Sequence, residues 1–279
     1  MTDPSFSKTE LMICVASRLF QDGTTAFIGT GIPMLAAMLA TRTIAPNLVP
    51  VFEFGGLGAI LDHLPRAVGE ARTFHKGLVA GGICETMETS QRGFIDYGFL
   101  GGAQIDPYGN LNSTVIGEHD HPKVRLPGSG GGNDVGSQCW MTVAIMQHDK
   151  RRFVPQVDFI TTPGYLSGPG AREAAGLPAG TRPINVVSTL ALMDYDDGPG
   201  GTFRMRLAAT HPGVTVQEVI ENTGFDLIIP DDVPVNQPPS LEELRLLREE
   251  IDPLGVRKVE TLSGAQRKEL IREILKKEE

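Results

Sequence analysis

Residues 24–56 read TTAFIGTGIPMLAAMLATRTIAPNLVPVFEFGG, and this stretch decides the fold. Two apolar runs, residues 24–28 and 48–52, predict buried strands. Residues 34–41 between them predict a helix, with Pro33 suited to its first turn. Alternating strands and helices predict an α/β fold, an open and mostly parallel sheet with flanking helices. In such sheets ligands bind at the carboxyl ends of the strands, where glycines stand here.

The remaining elements are predicted from capping patterns and apolar runs. Capping boxes at Ser7, Thr215 and Ser240 predict helix starts, the first helix running past Leu19 to stop at Gly23. Further strands are expected at residues 140–147 and 203–209, and an exposed connector at residues 230–239. We predict one main domain, residues 1–253, followed by a charged, helical C-terminal tail, residues 254–279.

Composition excludes several classes of protein. The net charge is −9, from 34 acidic and 25 basic residues, which argues against a nucleic-acid coat because phosphate binding needs a positive surface. The N-terminus is polar, and no apolar run approaches the ~18 residues that span a bilayer. The three cysteines, Cys14, Cys84 and Cys139, are widely spaced, which is typical of a reducing compartment. A cytoplasmic protein that contacts neither nucleic acid nor membrane is expected.

Glu53 is the first candidate for chemistry. It follows an apolar strand and precedes Gly55 and Gly56, which let a ligand or another backbone segment approach closely. A carboxylate can act as a covalent nucleophile, and N–H groups of glycine loops can stabilise an oxyanion. The structural alternative is a strand-end glutamate that caps a helix or forms an ion pair.

The turn at Gly29-Thr30-Gly31 supports a rival hypothesis. A strand followed by G-x-G, a helix and an acidic residue about 20 positions later is typical of dinucleotide-binding sites. However, Met34 occupies the place of the third glycine, and Pro33 changes the start of the helix. A nicotinamide-dependent dehydrogenase therefore stays an alternative that rests on a partial motif.

A second glycine-rich loop consists of Gly128, Ser129, Gly130, Gly131, Gly132 and Asn133. Such a loop is expected to present many free backbone N–H groups, which can hold phosphates or pantetheine amides. Lys123, Arg125 and residues 150–152 could supply positive potential for an anionic ligand. The structural alternatives are a flexible surface turn and a solvated charged face.

Histidines and cysteines give no metal site. His119-Asp120-His121 lacks further ligands at a recognised spacing, and a solvent-exposed turn before Pro122 is the preferred interpretation. The cysteines have no neighbouring motif that would activate a thiolate, so we predict that they belong to the core.

Several long motifs, in order, resemble one family. They are Gly29-Thr30-Gly31-Ile32-Pro33, Glu53-Phe54-Gly55, residues 101–110 (GGAQIDPYGN), Gly128-Ser129-Gly130-Gly131, Met146-Gln147-His148, residues 150–153 and residues 221–225. On these residues the chain resembles the β subunits of class I coenzyme A transferases, most closely those of glutaconate CoA-transferases. The resemblance covers residues 8–253.

The resemblance implies transfer of CoA between an acyl-CoA and a carboxylic acid, at an interface with an α subunit. Glu53 would be the catalytic nucleophile and would carry a glutamyl-CoA thioester. The substrate and oxyanion positions would be Gly29, Gly31, Phe54, Gly55 and Gly56, and residues 128–133 would bind CoA. No metal or redox cofactor is implied, because CoA is itself a substrate.

Phe54 departs from the pattern, because glutaconate enzymes have a small polar residue there. We expect it to favour an acyl group less polar than glutaconate. Relatives that have become decarboxylases or ring-opening hydrolases of CoA esters lack the glutamate. Its presence at position 53 therefore favours transfer over these two alternative activities.

Overall fold

The computed structural model describes residues 5–65, 67–260, 262 and 264–278. Within these ranges the strands are β1 (Thr25–Ile28), β2 (Val49–Val51), β3 (Gly56–Leu57), β4 (Val79–Ala80), β5 (Tyr97–Leu100), β6 (Gln104–Ile105), β7 (Leu111–Asn112), β8 (Val115–Ile116), β9 (Val124–Arg125), β10 (Met141–Met146), β11 (Arg182–Ser188), β12 (Ala191–Tyr195) and β13 (Met205–Thr210). The α-helices are α1 (Lys8–Ser17), α2 (Ile32–Arg42), α3 (Ile83–Gln91), α4 (Gly132–Gln138), α5 (Ala171–Ala174), α6 (Val216–Asn222), α7 (Leu241–Arg245) and α8 (Gly264–Glu278).

The main sheet has the strand order β13-β12-β11-β10-β5-β1-β2-β3-β4. Its five central strands, β11, β10, β5, β1 and β2, are parallel, whereas the strands at both margins are antiparallel. The predicted α/β fold with a mostly parallel sheet is therefore confirmed. Two short hairpins, β6–β7 and β8–β9, lie outside this sheet.

The core consists of two layers, one on each face of the sheet. On one face α1 and α2 pack against the strands through side chains such as Ile13 and Leu39. On the other face Phe27 and Val51 pack with Val135 of α4. Because both faces are covered, the parallel strands are apolar along their length rather than alternating. Cys14 and Cys139 are buried in these layers, but Cys84 is exposed, which corrects the prediction of three core cysteines.

The predicted helix starts are found at all three capping residues. Ser7 and Ser240 form reciprocal capping boxes, and the side chain of Thr215 accepts from the N–H of Glu218. The first helix ends at Ser17, before Leu19, and the N–H groups of Leu19 and Phe20 donate to carbonyls only three residues back, as in a turn. Among the described helices, none is long and apolar enough to cross a lipid bilayer.

The segment after residue 253 begins inside the packed structure. Arg257 is buried and pairs with Asp252 at 2.8 Å and with Glu10 of α1 at 3.2 Å. Arg248 also pairs with Glu10, at 2.7 Å. In α8 the side chain of Ile274 is buried, while most of that helix faces solvent. The C-terminal segment is thus anchored to α1 by charge.

Candidate active site

Glu53 lies in a tight turn between β2 and β3, at the carboxyl end of the parallel strands. The N–H of Phe52 donates to the carbonyl of Gly56, and the N–H of Gly55 donates to the carbonyl of Phe52, both at 2.9 Å. Phe52 is fully buried, whereas Glu53 is half-buried. The carboxylate therefore stands on a fixed backbone and remains reachable at the rim of the sheet.

The two glycines after Glu53 permit close backbone packing. Gly55 has a φ of +108°, and a Cβ atom there would overlap the backbone of Gly81. A Cβ atom at Gly56 would overlap the carbonyl of Thr73. These glycines therefore bring residues 73–82 against the Glu53 turn. The N–H of Gly55 is already occupied within the turn, so it does not offer a free donor to an acyl group.

The carboxylate of Glu53 accepts a hydrogen bond from a distant glycine. The N–H of Gly131 donates to Oε1 of Glu53 at 2.7 Å. Gly131 is the N-cap residue of α4, where backbone N–H groups point out of the helix and favour a negative charge. A Cβ atom at Gly130 would lie 3.2 Å from Oε1. The loop before α4 thus holds one oxygen of the carboxylate at a distance that only small residues allow.

The glycine loop is tied to its surroundings through its own backbone donors. The N–H groups of Gly128, Gly132 and Asn133 donate to the carbonyl of Ser113 (2.9 Å), the carbonyl of Ser129 (2.9 Å) and the hydroxyl of Ser129 (3.1 Å), respectively. The side chain of Asn133 also donates to the carbonyl of Thr161 at 3.1 Å. The expectation of free donors is therefore wrong at these positions, because helix capping and loop closure already use them.

Two apolar side chains lie beside Gly131, the residue that donates to Glu53. A Cβ atom at Gly131 would lie 2.6 Å from Cε of Met87 and 3.3 Å from Cζ of Phe27. Phe27 belongs to β1 and is buried, and Met87 belongs to α3 and is half-buried. Neither residue was predicted from the sequence, because an apolar residue in a strand or helix carries no local signal of proximity to a site.

The side chain of Phe54 packs against a different segment of the chain than the side chain of Glu53 does. A Cβ atom at Gly69 would lie 3.2–3.3 Å from three ring carbons of Phe54, so the ring packs over that glycine. The side chain is 45% exposed. An aromatic surface next to the turn is thus available to a ligand or a partner, and the role of Phe54 in selecting the acyl group stays a prediction.

The loop after β1 borders the same rim of the sheet. The N–H of Gly29 donates to the carbonyl of Phe99 in β5 at 2.9 Å, and Gly31 has a φ of +85° as the N-cap of α2. In the register of the sheet, Phe27 pairs with Val51, so Gly29 is level with Glu53. Met34, at the position of the missing third glycine, is fully buried.

The histidines singled out in the sequence have structural surroundings. His148 is buried between Ser188 and Thr223, which lie 2.8 and 3.0 Å from its ring nitrogens, and burial lowers its pKa to about 3. His119 stacks on Phe159 at 5.4 Å. In the described part of the chain, no group of three or more histidine, cysteine or acidic side chains could hold a metal ion.

Comparison with known proteins identifies the family. The family model for coenzyme A transferases matches residues 9–222. The chain is also 38% identical over 255 residues to the B subunit of glutaconate CoA-transferase from Acidaminococcus fermentans, with 89% of this chain and 94% of the relative covered. This chain belongs to the coenzyme A transferase family.

Other relatives of this chain include coenzyme A transferases and a hydrolase subunit. The crystal structure of glutaconate coenzyme A-transferase from A. fermentans matches with a TM-score of 0.83 and 36% identity, covering 89% of this chain and 96% of that chain. The B subunit of 3-oxoadipate CoA-transferase from Pseudomonas knackmussii is 35% identical over 88% of this chain and 93% of its own length. The cholesterol ring-cleaving hydrolase IpdB subunit of Rhodococcus jostii is 30% identical, with 81% and 84% covered.

Proposed function

We propose that this coenzyme A transferase moves CoA from an acyl-CoA to a carboxylic acid through a glutamyl-CoA thioester on Glu53. The observation that carries the proposal is the glutamate carboxylate at the rim of the sheet, held through Oε1 by the N–H of Gly131. Such a fixed and reachable carboxylate can serve as a covalent nucleophile.

In the first step an oxygen of Glu53 attacks the thioester carbonyl carbon. The bond between that carbon and sulfur breaks, giving an acyl-glutamyl anhydride and CoA thiolate. Because Oε1 is engaged by Gly131, Oε2 is the oxygen with its lone pairs available for attack. Phe27 and Met87 beside the Gly131 amide limit water around the reacting group, which matters because water would hydrolyse the anhydride.

In the second step the thiolate attacks the side-chain carbonyl carbon of Glu53, and the first carboxylate leaves. Negative charge then develops on Oε1, the oxygen that already accepts from Gly131. A preorganised backbone donor at such an oxyanion contributes on the order of 10²–10³ in rate. An acceptor carboxylate then reverses both steps and leaves as the new acyl-CoA, which regenerates the free glutamate.

A separate α subunit is the proposed partner. Two relatives of this chain are B subunits by name, and residues 54–83 beside Glu53 expose large apolar side chains. These are Phe54 (45% exposed), Leu78 (75%), Val79 (51%) and Ile83 (45%). Such a patch next to a nucleophile fits a surface that a second chain covers, and its closure would exclude water from the thioester.

A hydrolase or decarboxylase of a CoA ester is the second candidate. It is favoured by the similarity to the ring-cleaving hydrolase subunit, whereas Glu53 favours transfer. Mass spectrometry of the complex with its α subunit distinguishes them. After acyl-CoA is added, hydroxylamine should convert the Glu53 thioester to a hydroxamate with release of CoA. In a separate sample, borohydride should reduce the same thioester to an alcohol. Turnover without any modification of Glu53 would contradict the proposal.

A further inference from the structure

A cavity lies where the chain reverses direction across the sheet. From β1 the chain crosses through α2 to β2 on one side, and it later returns to β5 on the other side of β1. The loops after β1 and β5 therefore lead away from each other and leave a crevice at the carboxyl ends of these strands. Open α/β sheets bind ligands at this switch point.

This crevice contains a cavity of ≈ 240 Å³ with both polar and apolar walls. The residues that matter here are Thr9 of α1, Ile32 of α2, Gly101 and Gly102 after β5, Gln147 after β10, and Arg152. Thr9 and Ile32 place it on the face of the sheet that α1 and α2 cover. The carboxylate of Glu53 binds the N–H of Gly131, which lies beside Phe27 and Met87 on the opposite face, so the cavity is separate from the surroundings of Glu53.

Arg152 supplies the charge in this cavity. Its backbone is fixed, because its N–H donates to the carbonyl of Asp149 at 2.9 Å and its carbonyl accepts from Ile105 at 2.7 Å. The side chain is one-third exposed, and Nε lies 3.3 Å from Oδ2 of Asp149. That contact is not a hydrogen bond, and buried Nε has no hydrogen-bond partner within the described chain.

Among the described residues that line the cavity, Arg152 is the one that carries a charge. Asp149 pairs with Arg152 and also with Arg151, whose Nε lies 3.5 Å from Oδ1 of Asp149, and Lys150 lies between Asp149 and Arg151 in the sequence. One carboxylate thus faces two guanidinium groups on a protein whose overall charge is −9. A guanidinium with unused donors is the group that binds phosphate best, because its planar N–H groups match phosphate oxygens.

We propose that this cavity binds a phosphate group of coenzyme A through Arg152, with Thr9 and Gln147 as further polar contacts. The inference rests on the proposed function, which places the CoA thiol at Glu53. Glu53 follows β2, and Gly101 follows β5. These two strands are two positions apart in the sheet, so their ends are separated laterally by about 10 Å. The pantetheine arm of CoA can span that distance, crossing the loop at Gly29 and Gly31 between the two strands.

The test compares two thioester substrates in the reconstituted complex. Arg152→Gln should raise the KM for acyl-CoA about tenfold or more, since a hydrogen bond to a charged group is lost. The KM for the matching acyl-pantetheine, which has no nucleotide phosphates, should stay within twofold, and so should kcat for both. Arg267→Gln is the control, because Arg267 is exposed on α8 and does not line the cavity.

Two results would overturn the inference. One is an unchanged KM for acyl-CoA in Arg152→Gln. The other is an equal rise for both thioesters, which would indicate a structural role for Arg152.

Inhibition by inorganic phosphate tests whether the cavity binds the phosphate of CoA or free phosphate. Phosphate should inhibit the wild type competitively against acyl-CoA and should inhibit Arg152→Gln less. Inhibition that is not competitive would also contradict the inference, because phosphate would then act outside the site that acyl-CoA occupies. Hydroxylamine labelling of Glu53 in the same samples reports separately whether the proposed transfer mechanism holds.

Discussion

The N–H of Gly131 lies 2.7 Å from Oε1 of Glu53, although 78 positions of sequence separate the two residues. This bond joins the turn after β2 to the start of α4. It fixes one carboxylate oxygen and leaves the other for attack, which gives the glycine loop a direct part in the proposed chemistry.

Removing the carboxylate should abolish transfer. We expect Glu53→Ala to lower kcat by more than about 10⁴-fold, as loss of a covalent nucleophile does in other enzymes. Glu53→Asp should retain some thioester hydrolysis, because a shorter carboxylate can activate water without reaching the carbonyl carbon. Exposed Glu249→Ala is the control. Full transferase activity in Glu53→Ala, measured by exchange of labelled carboxylate, would contradict the assignment.

Filling the space at Gly131 should disturb the bond to Glu53. In Gly131→Val a side chain would meet Oε1 of Glu53 and Cε of Met87, so we expect kcat to fall by about 10²-fold. Steady-state kinetics with acyl-CoA separate this effect from a change in KM. Ser129→Ala is the matched control in the same loop, since it removes the hydrogen bond to Asn133 and leaves the N–H of Gly131 in place. Equal kcat values for the two variants would show that the bond is unimportant.

Phe54 should select the acyl group. Its half-exposed ring offers apolar contact and cannot hydrogen-bond a distal carboxylate. A panel of acyl-CoA esters should show a preference for apolar acyl chains over glutaconyl-CoA, and Phe54→Ser should reduce that preference about tenfold in kcat/KM. Phe94→Ser is the control, because Phe94 is 62% exposed and precedes β5 at the other end of the sheet. A best rate with glutaconyl-CoA that Phe54→Ser does not alter would refute the idea.

The ion pairs of Glu10 should make stability depend on acid pH. Burial alone would raise the pKa of Glu10, but hydrogen bonds from Arg248 and Ser7 together with the charge of Arg248 lower it to about 2 from 4.5. A depressed carboxylate pKa stabilises the folded state above the unfolded value, and this stabilisation is lost as pH falls from about 5 to about 2.

Urea unfolding at pH 7 and pH 3 measures this contribution. The shift corresponds to about 3 kcal/mol at pH 7, so Glu10→Gln should lose stability of that order at pH 7 and less at pH 3. Glu249→Gln should behave as wild type at both values. An equal loss for Glu10→Gln at both pH values would mean that its effect is packing rather than charge.

The exposed apolar patch should require a second chain. Expressed alone, the protein should be inactive and self-associate, and co-expression with its α subunit should give a defined complex with turnover. Leu78→Glu should weaken that complex in size-exclusion chromatography while leaving the circular dichroism spectrum unchanged, because Leu78 is 75% exposed. Phe94→Glu tests whether any exposed apolar residue has this effect. A monodisperse, fully active single chain would refute the two-subunit hypothesis.

The sequence by itself determined the parallel sheet and the place of Glu53 at its edge. Both depend on local patterns: apolar runs form the strands, and the glycines and Pro33 mark where β1 ends and α2 begins. Several motifs in order were also sufficient to indicate the family. What periodicity cannot encode is which distant segments meet.

Only the tertiary structure decided the neighbours of Glu53. Packing of α3 and α4 on the sheet brings Met87 and Gly131 to the carboxylate, and the closure of the glycine loop uses donors that the sequence suggested were free. Likewise, Arg257 is buried against Glu10 although the composition of its segment indicated a charged tail. The contacts of Glu53 with Gly131 and of Arg257 with Glu10 join positions far apart in the chain, and such contacts depend on how whole elements pack rather than on the pattern within any one of them.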